Sequence, residues 1–414
     1  MSLKGIVFSF LWIASLLVTG SIFSFSLLDE MLCLFLLAFA LRQGIWRSRY
    51  FVLFIAYILL HITISIVYDY NGIKPILLDA LMYAKPFVCA LACGSGYFVL
   101  NEKDNRVLKT IIYHLLYFLF ADSFATWIFG IRDVAAKPLF WFTTNCTLAG
   151  TTTLMLLYYF FMQKKDELKI ITLKKCFLYT ILLLTALITM QGKYFGFVFV
   201  FFALMLFCKK MVSSIQLGNS QRRFFYKSLS LVMVVLMVMG VAYLALDDIN
   251  AYYLTDNQNV ARVMMVRSLP KVLDGVFFFT GRGFGAFCSP VTSLYYPAEF
   301  MNEIGLSQVY GLSESYSNLM SDGYLWSFAG CFGFIGIVLC IAFVFYMFRP
   351  LWTLWKIKKM PIKLFFSSLV CFSWIMIFSL GSGLMFGYGC FVMIIWGMLR
   401  WKAVQILKKE TETT

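Results

Sequence analysis

Charged residues are scarce in this chain. They make up 13% of its 414 residues, whereas hydrophobic residues make up 61% and the mean hydropathy is +0.83. A soluble domain of this composition would leave much apolar surface in contact with water. The composition therefore excludes a water-soluble protein and predicts an integral membrane protein.

Histidine is rarer still. The two histidines, His61 and His114, stand alone in apolar runs, where a packed or interfacial role is favoured. Most of the 11 cysteines also lie in apolar runs and act there as small hydrophobic residues. No Cys/His spacing typical of a metal site is present. We therefore expect no metal, no cofactor, and no disulfide at Cys288, the cysteine that lies in a long polar segment.

Polar breaks between the apolar runs are mostly short. About twelve runs approach the roughly 20 residues that a helix needs to cross a bilayer. The first resembles a signal peptide, but it lacks a small-residue cleavage pattern and is expected to stay as a span. The fold class predicted is an all-α polytopic membrane protein, with spans at 5–21, 26–41, 50–68, 76–100, 108–131, 140–162, 176–190, 194–208, 228–246, 324–348, 364–382 and 384–399.

The basic residues indicate an orientation. They cluster in alternate turns, in the segments 42–49, 103–109, 164–175, 209–227 and 349–363, and in the tail after 400. Cytoplasmic turns carry such an excess of lysine and arginine, so both termini are predicted to be cytoplasmic. Orientation explains the net charge of +15. Because no basic helix or RNA-binding motif accompanies it, we expect no nucleic-acid partner.

One long polar segment, 247–323, interrupts the pattern on the outer side, between the ninth and tenth spans. It mixes charges of both signs with tyrosines, which suits a wet site for a sugar. The predicted organisation is spans one to nine over 1–246, a large outer loop with short helices over 247–323, spans ten to twelve over 324–400, and a cytoplasmic tail over 401–414.

A helix is expected inside this loop. Asp256 is predicted to cap a helix over 257–274, with a bend at Pro270. Helical spacing places Arg262 on the apolar face of this helix, beside Val266, Leu269 and Leu273. A guanidinium in that position needs a partner, which is either a structural carboxylate or the diphosphate of a lipid-linked substrate.

Two further features lie on the outer side. Gly281-Arg282-Gly283-Phe284-Gly285 looks superficially like a nucleotide loop, but no strand-turn-helix unit surrounds it. It is either a tight turn that brings backbone close to a ligand or the membrane, or plain loop geometry. The short turn 190–194 places Lys193 near the bilayer boundary, where it either snorkels or receives a pyrophosphate.

Two charges are embedded in spans. Lys85 in the fourth and Asp122 in the fifth both lie roughly 13 Å from the outer end, at 1.5 Å rise per residue. Because an unpaired charge at that depth is costly, we expect the two to form an ion pair, structural rather than catalytic.

The order of these parts resembles the Wzy-type O-antigen polymerases and O-antigen ligases of bacterial surface-polysaccharide assembly. The shared parts are about twelve helices, a cationic turn after the seventh, and a large loop between the ninth and tenth. In the loop an arginine is followed by a Gly-x-Gly-x-Gly turn. The Ser-Arg of the family falls on Gly192-Lys193, so bidentate geometry is lost there. The histidine typical of ligases falls near Ser321 and Asp322, and its absence favours a polymerase.

The resemblance implies a membrane-embedded glycosyltransferase architecture (GT-C-like) in the bacterial inner membrane, with the large loop periplasmic. It implies inverting, metal-independent transfer between undecaprenyl-diphosphate-linked glycans, in contact with membrane lipid and with a chain-length regulator as a further partner. Lys193 and Arg262 would bind the diphosphate, and Asp322 would be the base. Further substrate contacts would come from Arg267, Arg282, Gly281, Gly283, Gly285, Glu303, Glu314 and Tyr324, with Glu303 and Glu314 as alternative bases. The alternatives are a ligase, or a flippase of lipid-linked glycans.

Overall fold

A computed structural model describes residues 1–18, 27–68, 70–128, 145–161, 196–197, 199–201, 203–204, 260–317, 319–320, 323–379 and 387–412. These residues form α-helices and no β-strand. The predicted spans 176–190 and 228–246 lie outside them, and 194–208 is described only in part. The helices are α1 (Leu3–Val18), α2 (Leu28–Arg42), α3 (Arg49–Tyr68), α4 (Ile73–Gly94), α5 (Glu102–Ile128), α6 (Asn145–Phe161), α7 (Ala261–Val272), α8 (Phe277–Thr280), α9 (Pro290–Leu294), α10 (Ala298–Glu303), α11 (Tyr324–Lys356), α12 (Ile362–Ser379) and α13 (Gly387–Glu412).

Five of the described helices are long and apolar enough to cross a membrane, namely α3, α4, α11, α12 and the part of α13 from Tyr388. Helix α3 buries little of its apolar surface, and side chains such as Leu53 and Val67 are exposed. Exposed apolar side chains on a long helix are suited to contact with lipid. The protein is thus an all-α, multi-pass membrane protein.

Helices α4 and α13 pack closely at the centre of the bundle. A side chain at Gly397 would come within 2.8 Å of the carbonyl oxygen of Ala90. Small residues at such a contact let two backbones approach, which is how helices associate in a bilayer. Trp12, Trp374 and Trp396 are fully buried around this contact and fill the core.

The ends of the bundle differ in charge. At one end, Lys4 donates to the carbonyl oxygen of Val99 (2.8 Å), Arg400 donates to that of Tyr346 (3.1 Å), and Lys359 pairs with Glu410 (3.1 Å). These contacts involve basic residues at one end of the bundle, which we call the basic end.

The other end carries residues 260–317, which we call the loop unit. The loop unit has a small core of its own, separate from the core of the bundle, which includes Met265, Val272, Phe287, Phe300, Leu306 and Leu312. It contacts the turn between α3 and α4, because Asn71 donates to the carbonyl oxygens of Gly285 (3.3 Å) and Tyr295. Residues 260–317 of the long polar segment therefore form a folded unit fixed to the helices.

Candidate functional site

Residues 281–289, the glycine loop, are the buried part of the loop unit that contacts the membrane helices. Gly281, Gly283 and Gly285 have φ angles of 68°, 83° and 73°, which an L-residue adopts only at a cost. A side chain at Gly281 would overlap the backbone of Cys331, and one at Gly283 would overlap the hydroxyl of Ser65. The turn therefore does bring backbone close to its surroundings, and its neighbours here are helices α3 and α11.

Helix α11 is broken where the glycine loop meets it. Gly333 has φ 60° and ψ −162°, which interrupts the helical hydrogen bonding. The preceding carbonyl oxygens accept other donors. Arg282 N donates to Gly330 O (2.9 Å), Gly283 N to Cys331 O (3.0 Å), and the Tyr57 hydroxyl to Phe332 O (3.2 Å). Broken helices are tolerated in membrane proteins where such partners satisfy the freed groups.

Helices α3 and α4 satisfy the next two N–H groups of the loop. Phe284 N donates to Ser65 Oγ (2.6 Å), and Gly285 N donates to Asp79 Oδ2 (2.8 Å). Asp79 is fully buried. Sequence reasoning missed Ser65 and Asp79, although a carboxylate inside an apolar run indicates a buried group with a specific partner or function. Four consecutive backbone N–H groups thus have partners in the interior.

Arg282 is buried and caps the end of helix α7. Its Nε donates to the carbonyl oxygen of Val272 (2.8 Å), one Nη donates to that of Lys271 (3.2 Å), and the other donates to the hydroxyl of Tyr70 (2.8 Å). Its guanidinium lies 3.7 Å from the ring centroid of Phe277. A cation at a helix C-terminus interacts favourably with the helix dipole. These contacts give Arg282 a structural role, and its predicted contact with an anion stays a prediction.

Tyr70, which receives one of these hydrogen bonds, lies in the turn between α3 and α4. Burial raises the pKa of its hydroxyl above the usual value, while the neighbouring Arg282 acts in the opposite direction. Tyr70 therefore stays a neutral hydroxyl and accepts the guanidinium N–H without adding a charge.

Helix α7 confirms the expected helix but corrects its start. Val260 is extended, with φ −88° and ψ 110°, and is the N-cap residue, so the helix begins at Ala261 and not at residue 257. Pro270 lies in the last turn. Residues 251–259, which include Asp256, lie outside the described part of the chain.

The predicted apolar face of α7 is displaced by one residue. The fully buried face carries Ala261, Met265, Ser268 and Val272. Of the predicted face, Val266, Leu269 and Leu273 are only partly buried, and Leu269 packs against the core of the loop unit. Arg262 is half-buried next to the packed face. Arg267 and Lys271, one turn apart, are both exposed. Helix α7 thus holds its cations outside the core of the loop unit.

The structure describes three of the remaining predicted residues, Glu303, Glu314 and Tyr324. Glu303 and Glu314 are exposed, on the end of α10 and in the segment after it. Tyr324 is buried at the start of α11, with its ring centroid 6.0 Å from that of Tyr83. It packs in the core of the described helices, and its contact with a substrate stays a prediction. Lys193 and Asp322 lie outside the described residues.

Lys85 is buried with carboxylate partners that sequence reasoning missed. It donates to Asp29 and, over 2.7 Å, to Glu30, both in the first turn of α2. The side chain of Asp122 lies outside the described part, so its pairing with Lys85 stays a prediction. Two carboxylates around one ammonium compensate a charge that would otherwise be costly to bury.

The buried histidine confirms its expected packed role. His61 lies among aromatic rings, with centroid distances of 4.4 Å to Tyr57, 5.0 Å to Phe332 and 6.2 Å to Phe284.

Comparison with models of known protein families and with curated proteins finds no match for this chain. The resemblance to the polysaccharide polymerases therefore stays a prediction.

Proposed function

We propose that this protein polymerises undecaprenyl-diphosphate-linked oligosaccharide repeat units into a surface polysaccharide such as O-antigen or capsule, on the outer face of the bacterial inner membrane. One observation carries the proposal. The loop unit is a folded body anchored on the membrane helices, and its helix α7 holds Arg262 half-buried and Arg267 and Lys271 exposed. A diphosphate whose lipid tail stays in the bilayer needs cations at this boundary.

In the proposed reaction, a hydroxyl of the terminal sugar of one repeat unit attacks the anomeric carbon at the reducing end of the growing chain. A new glycosidic bond forms, and the bond from that carbon to the diphosphate oxygen breaks. Arg262 and Lys193 stabilise the departing lipid diphosphate. A carboxylate accepts the hydroxyl proton as general base. Asp322 is the first candidate, and Glu303 and Glu314 are the alternatives.

The test uses purified full-length protein in nanodiscs and lipid-linked repeat units isolated from source cells in which the gene is deleted. A ladder of longer lipid-linked glycans supports the proposal. Product that appears only when a second acceptor, such as lipid A core, is added would make the protein a ligase. Transbilayer movement of the lipid-linked units without new glycosidic bonds would make it a flippase.

Lys193 offers a residue-level test. Because arginine keeps the positive charge and also binds phosphate bidentately, Lys193→Arg should keep most of the polymer, whereas Lys193→Ala should lose it. The chain-length distribution on a gel is the measurement. Equal loss in both variants would contradict a diphosphate-binding role.

A further inference from the structure

The break in helix α11 lies well below the end of α3 that faces the loop unit. Helix α3 ends at Tyr68. His61 lies seven residues before that end, which is about 10 Å along the helix axis. Its ring lies 5.0 Å from that of Phe332, which directly precedes the break at Gly333. The break is therefore about 10 Å inside the segment of α3 that is long and apolar enough to cross a membrane.

Helix α8 reaches down to this break, although it belongs to the loop unit. At its start, the ring of Phe277 contacts that of Tyr68 at the end of α3, with 4.8 Å between the centroids. In its next residue, the ring of Phe278 stacks on that of Phe334, the first residue after the break, at 5.8 Å. Helix α8 thus extends from the end of α3 into the apolar part of the bundle.

Apolar side chains of α8 point away from the protein. Val276, which precedes the helix, is 59% exposed, and Phe278 and Phe279 are 48% and 53% exposed. We call these three residues the α8 patch. Residues 275–281 carry no charge. Exposed apolar side chains continue from the patch along α11, at Phe334, Ile335, Val338 and Ile341.

The backbone of this segment finds its hydrogen-bond partners inside the protein. The N–H groups of residues 277–281 donate to carbonyl oxygens of the same turn, for example Gly281 N to Phe277 O (2.8 Å). Those of residues 282–285 donate to helices α3, α4 and α11. Backbone groups at membrane depth need such partners, because no water is present there. Residues 277–285 thus meet the backbone condition for entering a bilayer.

The surroundings of the α8 patch follow from its depth and its continuity with α11. Water is an unfavourable neighbour, because half-exposed phenylalanine rings would leave much apolar area in contact with it. The patch continues the exposed apolar surface of α11, a helix that is long and apolar enough to cross a membrane. The environment that fits both is the acyl region of the bilayer.

We propose that α8 and the glycine loop form a re-entrant element, which enters the bilayer from the side of the loop unit and returns without crossing it. Acyl chains of phospholipids cover the α8 patch and Phe334. The glycine loop lies behind α8, between the membrane helices, and is shielded from lipid. This element sets the depth of the loop unit in the membrane, and it is independent of the reaction proposed above.

The experiment uses Phe279→p-benzoylphenylalanine, a photo-crosslinking variant, in the full-length protein in phosphatidylcholine nanodiscs. Mass spectrometry after irradiation identifies the adducts. Phe345 on α11 and Tyr310 in the loop unit are both more exposed than Phe279, and the matched variants change them in the same way. The variants at Phe279 and Phe345 should form phospholipid adducts to the same extent, and the variant at Tyr310 should form none.

Three results would overturn the proposal. An adduct of residue 279 with another segment of this chain or with a second copy would show that protein covers the α8 patch. Lack of any adduct at residue 279 would show that water covers it. Equal lipid adducts at residues 279 and 310 would show that lipid contact is not specific to α8. If the variant at Phe279 does not fold, Val276→p-benzoylphenylalanine tests the same patch and should form the phospholipid adduct.

Discussion

The glycine loop and helix α7 are neighbours in the loop unit, yet the backbone N–H groups of the loop are buried, whereas cations of the helix are exposed. The glycine loop is buried, and its N–H groups of residues 282–285 all have partners on the membrane helices. Helix α7 carries Arg267 and Lys271 on an exposed surface. The glycine motif, which is the more conspicuous in the sequence, is thus an anchor, whereas the less conspicuous helix α7 carries the exposed charge.

The largest loss of stability should come from disrupting the contact between the glycine loop and helix α11. Gly281→Ala introduces a side chain that overlaps the backbone of Cys331, at a positive φ. We expect a loss of about 3 kcal/mol or more in the free energy of unfolding, because strain and overlap add. Thermal unfolding in detergent, followed by size-exclusion chromatography, measures this loss.

Gly275→Ala is the matched control for that variant. Gly275 also has a positive φ, 58°, but no atom lies within 4 Å of an added side chain. Its loss should be limited to the strain, about 1 to 2 kcal/mol. Equal losses for the two glycines would contradict the close approach of the glycine loop to α11.

The next largest loss of stability distinguishes two arginines of the loop unit. Arg282→Gln removes hydrogen bonds from a buried guanidinium to the end of α7 and to Tyr70, and should cost about 3 kcal/mol. Arg267→Gln changes an exposed side chain and should cost under about 1 kcal/mol. The same unfolding assay compares them. If Arg267→Gln lowered the free energy of unfolding more than Arg282→Gln, then Arg267 and not Arg282 would be the residue that anchors the loop unit.

The smallest effect concerns the acceptor under the glycine loop. Asp79→Leu leaves Gly285 N without its partner and should cost about 2 kcal/mol. Asp79→Asn keeps an oxygen that accepts this hydrogen bond, so its cost should stay below about 1 kcal/mol. If Asn and Leu destabilise the protein equally, Asp79 has a role beyond accepting the N–H of Gly285.

The sequence allowed prediction of those features that depend on local pattern. Apolar runs located the five described helices that are long and apolar enough to cross a membrane. Helix α7 was expected within a few residues of Ala261–Val272. Its packed face was displaced because apolar residues occur on both sides of α7, and periodicity alone does not say which side meets a core. Ser268 on the packed face donates to the carbonyl oxygen of Met265, 2.9 Å away, which a hydrophobicity pattern does not reveal.

The partners of the buried charges depended on contacts distant in sequence. Arg282 binds Tyr70, 212 residues away, and Lys85 binds Asp29 and Glu30 across two helices. Lys85 and Asp122 lie at similar depths in their spans, which suggested that they pair, but equal depth does not show which helices are adjacent. Helix adjacency in a bundle is set by packing of whole surfaces, so it could not be read from spacing.

In the proposed function, the loop unit separates an anchor from a cationic surface that acts on substrate. The most direct measurement supplies Arg262→Ala in nanodiscs with the lipid-linked repeat units. It follows the folding of the variant by size-exclusion chromatography and the glycan ladder by gel. We expect a folded, inserted protein that forms no polymer. Normal chain lengths from this variant would contradict it.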